Sequence, residues 1–451
     1  MSIGGSPTAA VKLFRRYGLK PFYRILDALF EDNPNRRWPK HMILIPRIVF
    51  WLMAVAALGD GSMAATVINF WAPLRAICPH LRAEPVKEEA FCFARKKLPV
   101  RFFRRLFGRL IDAFDAKFPG DFRWRGLRLL GIDGTETDLD RALHPSYPPP
   151  SNQHGTRNKP QARLVGLVDL WTGLCRAFRL VPLKYSEQRC ASTLIRLLGP
   201  GDLLMADRNF PGIQLMLEVI RQGAQFLMHL PSKRYHKFHR QPTPSRKRSE
   251  WYITIPLSRT RQKLFPFYAD GLKLRVLQYR KPGFRTSWLI TSLLDTRCFT
   301  GAELAELYHQ RWRQETAHRE WKHSLQLNNL RSKSNAGVLK EVLVQLTLNN
   351  AIRWIMADAA DAAGLRPVDL KFLDAKRLIL ANVPVMAAAP PEQLPGIYRQ
   401  LLADIAGHTI LVRPGRSYPR KFDQRPRHKG HGKIAPPARL ATKGETRYAA
   451  L

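Results

Sequence analysis

The stretch "YHQRWRQETAHREWKH" (residues 308–323) is crowded with cations and aromatic side chains, yet it carries one carboxylate, Glu315, near its centre. Four of its side chains recur at steps of three, four and seven, which predicts one stripe of an α-helix. They are Tyr308, Arg311, Glu315 and Lys322. Such a stripe suits phosphate and a cation better than an apolar core. The alternative is a solvated helix in which Glu315 pairs with Arg311 and Arg319.

The composition predicts a folded protein that binds a polyanion. The 451 residues include 74 Lys and Arg against 35 Asp and Glu, a formal charge of +39. Nucleic acid is the expected partner, because neutralised phosphates release counterions, and an anionic membrane surface is the weaker alternative. A hydrophobic content of 45% excludes a wholly disordered basic chain and allows several domains with cores of their own.

The cysteines and the apolar segments favour a cytoplasmic protein. Five cysteines without a CxxC pair suit reduced thiols better than a disulfide framework or a zinc site. The first residues lack the apolar core of a signal peptide. The clean apolar run at 48–58 is too short to span a bilayer. We therefore expect no membrane segment.

The chain divides by pattern into helical, mixed and β-rich regions. Residues 1–120 are helical with arginine-rich polar faces, which makes them a candidate DNA-binding domain. The order strand, hairpin, helix, strand, helix, strand then predicts an α/β layer. The last residues are rich in Pro, Gly, Lys and Arg and predict a disordered basic tail. The predicted boundaries are 1–120, 121–230, 231–298 (β-rich), 299–356, 357–412 (helical) and 413–451 (tail).

Two apolar runs lead into aspartates, "LRLLGID" into Asp133 and "DLLMAD" into Asp207, and Glu315 follows later. A carboxylate at the end of a buried strand is costly unless it is paired or binds metal. Three carboxylates can hold two divalent cations about 4 Å apart for phosphoryl transfer, a task that suits Mg²⁺. The residues alone leave the choice open, since such aspartates also suit turns and caps. Other nearby acids are Glu136, Asp138, Asp140, Asp169, Glu187 and Asp202.

With these motifs the chain resembles the insertion-sequence-four family of bacterial DDE transposases. The family signature of tyrosine, arginine, glutamate and lysine matches Tyr308, Arg311, Glu315 and Lys322 in spacing. Its "DGT" matches residues 133–135, and its second block matches "DRNFPG" from Asp207. The basic stretch "HGTRNKPQARLVGLVDLWTG" is also similar. The resemblance covers roughly residues 120–356, and the four-residue signature is its specific part.

The resemblance implies an α/β fold with a ribonuclease H-like catalytic core, interrupted by a β-rich insertion at 231–298. An N-terminal helical domain, a C-terminal helical region and a basic tail would flank this core. The implied triad is Asp133, Asp207 and Glu315, which would hold two Mg²⁺ ions, with Mn²⁺ as a substitute. The DNA-contacting side chains are expected to be Tyr308, Arg311, Lys322, Arg157, Lys159 and Arg163.

The implied reaction is cut-and-paste transposition. Water attacks the phosphodiester at the element's end, and the freed 3′-hydroxyl attacks target DNA, with a hairpin on the second strand. The partners would be the terminal inverted repeats and target duplex, held by a homodimer on paired ends. A hairpin requires a flipped base, and Trp251 and Trp288 could stack on it or could pack their own sheet. Further backbone-contacting candidates are Lys233, Arg234, Arg246, Lys247 and Arg248.

Three alternatives remain. A stand-alone metal-dependent nuclease with the same core would cut DNA but not join it. A catalytically silent DNA-binding protein derived from a transposase is disfavoured, because all three triad carboxylates and the signature lysine are present. A membrane-surface protein would explain the charge but not the three carboxylate blocks.

Overall fold

A computed structural model describes residues 44, 46–59, 62, 64–69, 71, 84–149, 151–152, 155–156, 159–231, 240–243, 249–280, 286–390 and 392–410. These residues divide into two units. The first unit takes its residues from Met1–Leu194 and Trp312–Ile410, and the second from Ile195–Arg311. The predicted tail at 413–451 lies outside the described residues, as do the polar segments 232–239 and 244–248.

The sheet of the first unit is antiparallel. The strands of this unit are β1 (Arg128–Asp138), β2 (Ser151–Asn152), β3 (Gly155–Thr156), β4 (Gln161–Asp169) and β5 (Cys175–Pro182). β4 pairs with β1 on one side and with β5 on the other, while β2 and β3 form a small separate hairpin. The predicted hairpin around Trp-Thr-Gly is confirmed, with Gly173 at φ +77° in its turn.

Strand β1 does not end at Asp133, contrary to the sequence prediction. Asp133 lies opposite Gly166 in β4, and the pairing continues to Asp138 opposite Gln161. The apolar run ends at Ile132, and the three residues that follow it are half-buried. Backbone pairing does not require buried side chains, so the strand continues where the apolar pattern fails.

The helices are, in chain order, α1 (Pro46–Leu58), α2 (Glu88–Lys97), α3 (Val100–Lys117), α4 (Glu187–Ile195), α5 (Ile213–Arg221), α6 (Arg259–Leu264), α7 (Gly301–Tyr308), α8 (Trp312–Arg319), α9 (Asn335–Ala362), α10 (Phe372–Ala388) and α11 (Leu394–Gly407). The first unit holds α1–α3 and α8–α11, the second holds α5–α7, and α4 ends where the second unit begins. Among the described helices, none combines the length and the apolar character that a bilayer-crossing segment requires.

Helix α9 forms the centre of the first unit's core, as its apolar sequence predicted. It is buried over most of its length and packs against α1, α3, α10 and α11. Phe114 of α3 meets Trp354 of α9 edge to face, with ring centres 5.7 Å apart. The Asn350 side chain bonds both the N–H and the C=O of Cys175, each at 2.9 Å, so the helix satisfies the backbone at the start of β5.

The N-terminal region is helical where it is described. α2 and α3 are separated at Leu98 and Pro99, where proline fits the start of a helix but not its interior. One face of α3 is buried, and Arg101, Arg104 and Arg105 are exposed. DNA binding by these arginines stays a prediction. α10 continues to Ala388, further than the sequence predicted.

The second unit contains a mixed sheet of six strands. They are β6 (Asp202–Ala206), β7 (Gln225–Leu230), β8 (Arg240–Pro242), β9 (Glu250–Ile255), β10 (Leu272–Tyr279) and β11 (Ser287–Thr291). β6 and β7 are parallel, and β11, β10, β9 and β8 follow in antiparallel order. The three strands predicted from 251 onward are confirmed. Because β11 pairs with β7, this β-rich segment extends the sheet and does not form one of its own.

A buried ion pair joins three elements of the second unit. Arg275 on β10 is fully buried and donates to Glu250 on β9 at 2.5 Å and to the carbonyl of Phe299 at 2.5 Å. The Glu250 carboxylate also packs against Gly301, the first residue of α7. The pair therefore fixes the start of the helix that leads to Tyr308.

We expect Arg275→Met to lower the free energy of unfolding by about 3–5 kcal/mol, because it leaves a buried carboxylate uncompensated. Urea unfolding measures this change. The exposed Arg259→Met on α6 serves as the control and should be near neutral. The double variant Glu250→Leu/Arg275→Met should recover much of the loss. A single Arg275 variant as stable as wild type would contradict the role given to the pair.

Candidate active site

The signature stretch is helical throughout but is not one uniform α-helix. α7 is followed by a 3₁₀ turn (His309–Arg311), then by α8 and by a π-helical turn (Glu320–Ser324). The single α-helical stripe predicted from the spacing is therefore wrong, because the pitch changes twice. No glycine or proline marks these changes in the sequence. Tyr308 and Arg311 belong to the second unit, and Glu315 and Lys322 belong to the first.

In the first unit, two glycines allow α8 and the π-helical turn after it to approach β1 and β4 closely. A Cβ on Gly131 would lie 2.7 Å from Oε1 of Gln314, and a Cβ on Gly166 would lie 2.8 Å from the Trp321 ring. Gly131 precedes Asp133 by two residues, and Gly166 lies directly opposite Asp133. Any larger residue at either position would push the helix away from the strands.

Gln314 fastens α8 to the strand pair by hydrogen bonds. It is fully buried, and its Nε2 donates to the carbonyl of Gly166 at 3.3 Å. The same nitrogen lies 3.0 Å from Nε2 of His318. Since an amide nitrogen only donates, the histidine nitrogen accepts, which requires a neutral ring. Burial, reinforced by the charge of Lys322, lowers the pKa of His318 to about 3.

Asp133 and Glu315 lie on these packed elements. Asp133 is half-buried and accepts the N–H of Gly134 at 2.9 Å. It shares a strand face with Gly131, because alternate residues of a strand point the same way, and that face meets α8. Glu315 is also half-buried and directly follows Gln314. The first unit thus brings two of the three predicted carboxylates onto neighbouring elements.

The π-helical turn that carries Lys322 is held on two sides. Glu320 forms an ion pair with Arg353 of α9. Burial raises the pKa of Glu320, and the charge of Arg353 opposes that shift. The hydroxyl of Thr137 on β1 donates to the carbonyl of Leu327 at 2.7 Å. Lys322 is half-buried between these anchors and lines a polar pocket at the end of β1.

In the second unit, Asp207 directly follows β6, as predicted, and its Oδ1 accepts the N–H of Asn209 at 2.8 Å. The hydroxyl of Tyr308 donates to the carbonyl of Ala206 at 3.1 Å. Burial raises the pKa of Tyr308, and the nearby guanidinium of Arg311, 6.0 Å from the ring centre, opposes this. Tyr308 therefore supports the strand end that carries Asp207.

The predicted DNA-contacting residues differ in accessibility. Tyr308 is only 7% exposed with its hydroxyl on the backbone, so phosphate contact by it stays a prediction. Arg163 lies opposite Glu136, which places it on the strand face away from α8. It is held by Glu136 at 3.3 Å and by the carbonyl of Tyr185 at 2.8 Å. Lys159 is exposed. Arg157, Lys233, Arg234, Arg246, Lys247 and Arg248 lie outside the described residues.

The two candidate tryptophans belong to the sheet of the second unit. Trp251 on β9 is half-buried beside Arg240, whose guanidinium lies 5.7 Å from its ring. Trp288 on β11 lies opposite Gln278 on one side and Leu230 on the other. These positions suit packing within the sheet, and a role in holding a flipped base stays a prediction.

The donor chemistry of the three carboxylates suits a divalent cation. Asp133, Asp207 and Glu315 are each half-buried and offer hard oxygen donors of the kind that Mg²⁺ prefers. Across the part of the chain that the structure describes, no three His, Cys, Asp or Glu side chains stand close enough together to enclose a metal ion. The fit therefore rests on the type of donor and on the elements that carry it.

Sequence reasoning missed the side chains that hold the site. Gly131 and Gly166 interrupt apolar strands, which signals a close approach of another element. Gln314 and His318 could not be identified from the sequence, because a sequence does not distinguish a buried amide or a neutral histidine from a solvent-exposed one. Trp321 resembled one more aromatic of a basic helix, yet it is fully buried.

Replacing Gly166 by alanine should lower the free energy of unfolding by about 1–3 kcal/mol, because the new methyl group meets the packed Trp321 ring. The matched control is Gly108→Ala in α3, where nothing lies within 4 Å of the added Cβ. That control should stabilise the helix by about 0.5–1 kcal/mol. Thermal unfolding of both variants measures the difference. Equal effects of the two substitutions would contradict close packing at Gly166.

His318 should make the protein less stable in acid. Its pKa in the folded state lies below the value in the unfolded chain, so the unfolded chain binds more protons between the two values. The stabilisation is complete above about pH 6.5 and declines towards pH 3, by at most about 1.4 kcal/mol per pH unit. Unfolding from pH 7 to 5 should therefore depend less on pH in His318→Gln. The exposed His144→Gln is the control and should keep the wild-type slope.

Comparison with known proteins supplies the family. Residues 109–350, more than half of the chain, match a family model described as a transposase DDE domain. The "Transposase InsG for insertion sequence element IS4" of Escherichia coli strain K12 is 25% identical over 346 residues, covering 76% of this chain and 77% of the relative.

A solved structure described as a piggyBac transposase synaptic complex with hairpin DNA aligns with 91% of this chain and 87% of its own, at 12% identity and a TM-score of 0.41. The family assignment rests on the first two comparisons and on the three carboxylate blocks. The chain belongs to the DDE transposases of the insertion-sequence-four family, enzymes that cleave DNA and join its ends by transesterification.

Proposed function

We propose that this transposase moves its own insertion sequence by using Asp133, Asp207 and Glu315 as its catalytic triad. The observation that carries the proposal is the anchoring of α8, since Gln314 bonds the carbonyl directly opposite Asp133 and Glu315 is the next residue. Asp207 follows β6 and is supported by Tyr308. Each carboxylate therefore stands on an element whose position is fixed by buried contacts.

DDE transposases use divalent metal ions, and we propose two Mg²⁺ ions for this chain, with Mn²⁺ as a substitute. Asp133, Asp207 and Glu315 would hold them through carboxylate oxygens. When bound, such ions stabilise the charge on the attacking and leaving oxygens of a phosphodiester. Neutral His318 adds no positive charge to the packed layer behind Glu315.

The cationic signature residues bind and orient DNA. Lys322 lies on the π-helical turn and is half-buried near the end of β1. Arg311 lies beside Tyr308. We expect both to meet phosphate oxygens rather than base edges, because phosphate contacts position a duplex whereas base contacts read its sequence. Water attacks the phosphorus at the element's end, and the 3′-oxygen leaves and takes a proton. That hydroxyl then attacks a phosphorus of the target, forming one P–O bond as another breaks.

We further propose cut-and-paste movement through a hairpin, on paired ends held by a homodimer in the bacterial cytoplasm. The substrates would be the terminal inverted repeats and target duplex. The charge of +39 supports a duplex partner, because each neutralised phosphate adds a salt-dependent contribution to affinity. A flipped base would stack on Trp288 or Trp251.

The triad is tested by a cleavage and joining assay on DNA that carries the element's own ends, with Mg²⁺. We test three variants, Asp133→Asn, Asp207→Asn and Glu315→Gln. Each should reduce nicking and strand transfer by at least about a hundredfold, because each removes a negatively charged metal ligand at the reacting phosphate. DNA binding should remain, since these residues do not supply the cationic surface.

The matched control is Glu306→Gln, an exposed glutamate on α7, which should keep wild-type activity. Full activity in Glu315→Gln would show that this residue is only part of a solvated helix face. Cleavage without joining in the wild type would favour a stand-alone nuclease. DNA binding without cleavage would favour a silent DNA-binding descendant.

A further inference from the structure

The strand that carries Asp133 is contacted on both of its faces in the first unit. Asp133 shares a face with Gly131, and Gln314 of α8 packs against that glycine. Gly134 lies on the opposite face, where a Cβ would meet Oε1 of Glu187 at 2.5 Å. Glu187 is the first residue of α4. The start of α4 therefore covers β1 immediately beside Asp133, on the side away from α8.

Arg163 on β4 fastens the start of α4 to the sheet. Its Nε lies 3.8 Å from Oε1 of Glu187. Its Nη1 donates to the carbonyl of Tyr185 at 2.8 Å and lies 3.4 Å from that of Leu183, in the segment that leads into the helix. Its ion pair with the more exposed Glu136 adds little, because surface pairs are weak. The guanidinium group thus holds a carboxylate and a loop at once, which its planar fork of donors allows.

The start of α4 is also fixed by contacts of its own. Oγ of Ser186 accepts the N–H of Arg189 at 3.3 Å, as the side chain of an N-cap residue does. The guanidinium of Arg189 lies 5.3 Å from the centre of the Tyr185 ring. Glu187 lies in the first turn, where a carboxylate is favoured by the helix dipole. Its contact with Gly134 can therefore hold the strand against a fixed helix end.

The side chain of Arg163 is directed into the protein. Only 19% of this side chain is exposed, and both of its terminal nitrogens have acceptors within the fold. A DNA contact by Arg163 would have to replace these acceptors by phosphate oxygens. That exchange would release the start of α4 from the sheet.

We propose that Arg163 and Glu187 are positioning residues, which together keep Asp133 in the geometry that cleavage requires. This inference rests on the proposed catalytic role of Asp133. The two side chains act through the strand and not on the reacting phosphate. α8 supports β1 from one face, and the Arg163–Glu187 pair supports it from the other. Arg163 therefore works inside the fold, whereas its role predicted from the sequence was a DNA contact.

Two variants separate positioning from DNA contact. Arg163→Lys keeps the positive charge but loses the planar fork, and Glu187→Ala removes the carboxylate together with its contact to Gly134. Each should slow nicking of element-end DNA by about tenfold at saturating protein, because losing the support of a metal ligand costs about 10–100-fold. A phosphate contact by Arg163 predicts the reverse, since lysine also binds phosphate and the loss of an acid strengthens attraction to DNA.

DNA affinity without divalent cations gives a second measurement, which does not depend on catalysis. Arg163→Gln should bind element-end DNA as Arg179→Gln does, with the same dependence on salt. Arg179 is the matched control, because it is an exposed arginine of β5 that lies opposite Val165, on the sheet face of Arg163. A lost phosphate contact at Arg163 would instead lower the slope of log affinity against log salt by about one.

The support of the strand is measured directly by amide hydrogen exchange of residues 128–138 in the free protein. Exchange should be faster in Arg163→Lys and Glu187→Ala than in wild type, and unchanged in Arg179→Lys. The double variant Arg163→Lys/Glu187→Ala should nick DNA within about twofold of the slower single variant, because the two residues act as one unit.

Wild-type nicking in either single variant, unchanged exchange of residues 128–138, or a reduced salt slope in Arg163→Gln would overturn the proposal. An additive loss in the double variant would also overturn it. Failure of the proposed function is scored separately, as full cleavage by Asp133→Asn. The exchange measurement requires no cleavage, so it still decides in that case whether the pair supports the strand.

Discussion

The close contact of α8 with the β1–β4 pair is the constraint on which the first unit's part of the site depends. Glu315 lies on the short helix α8. The position of this helix is set by the side chains that contact the strands, chiefly Gln314 of α8 and Trp321 of the π-helical turn that follows it. Both contacts require glycine, at Gly131 and Gly166, because a Cβ at either position would collide with them. A shift of one helical residue would move the carboxylate by about 1.5 Å, enough to lose alignment with a reacting phosphate.

Three buried basic side chains of this strongly cationic protein are neutral or paired with a carboxylate. His318 is buried in a neutral form, and the buried guanidinium groups of Arg275 and Arg353 pair with the carboxylates of Glu250 and Glu320. These pairs also connect elements along the signature stretch, one behind Lys322 and one at the start of α7. Such pairing offsets the cost of burying a guanidinium group.

Much of the fold was predictable because apolar patterns follow burial. The hairpin of β4 and β5, the strand before Asp207, the core helix α9 and the strands from 251 onward all agree with the sequence prediction. The predictions were wrong where the backbone conformation does not follow the pattern of apolar side chains. β1 continues beyond its apolar run, and the signature stretch changes pitch without a glycine or proline.

The residues of the candidate site were predictable only where side-chain type and spacing identify them. The resemblance selected Asp133, Asp207 and Glu315 from among several nearby acids, and the family assignment agrees with that resemblance. The supporting residues were not predictable, because Gln314 works through a tertiary contact with a strand far away in sequence. The position of Arg163 also needed the strand register, which alone shows that it faces away from α8.

We propose that the three carboxylates share one divalent-cation site when DNA is bound. Its most direct test replaces Mg²⁺ by Fe²⁺ in the full chain with element-end DNA and maps the radical cleavage of the protein backbone. We expect cuts near Asp133, Asp207 and Glu315 together, suppressed by excess Mg²⁺ and weakened at all three by Asp207→Asn. Cuts at only one of these segments, or cuts elsewhere, would contradict it.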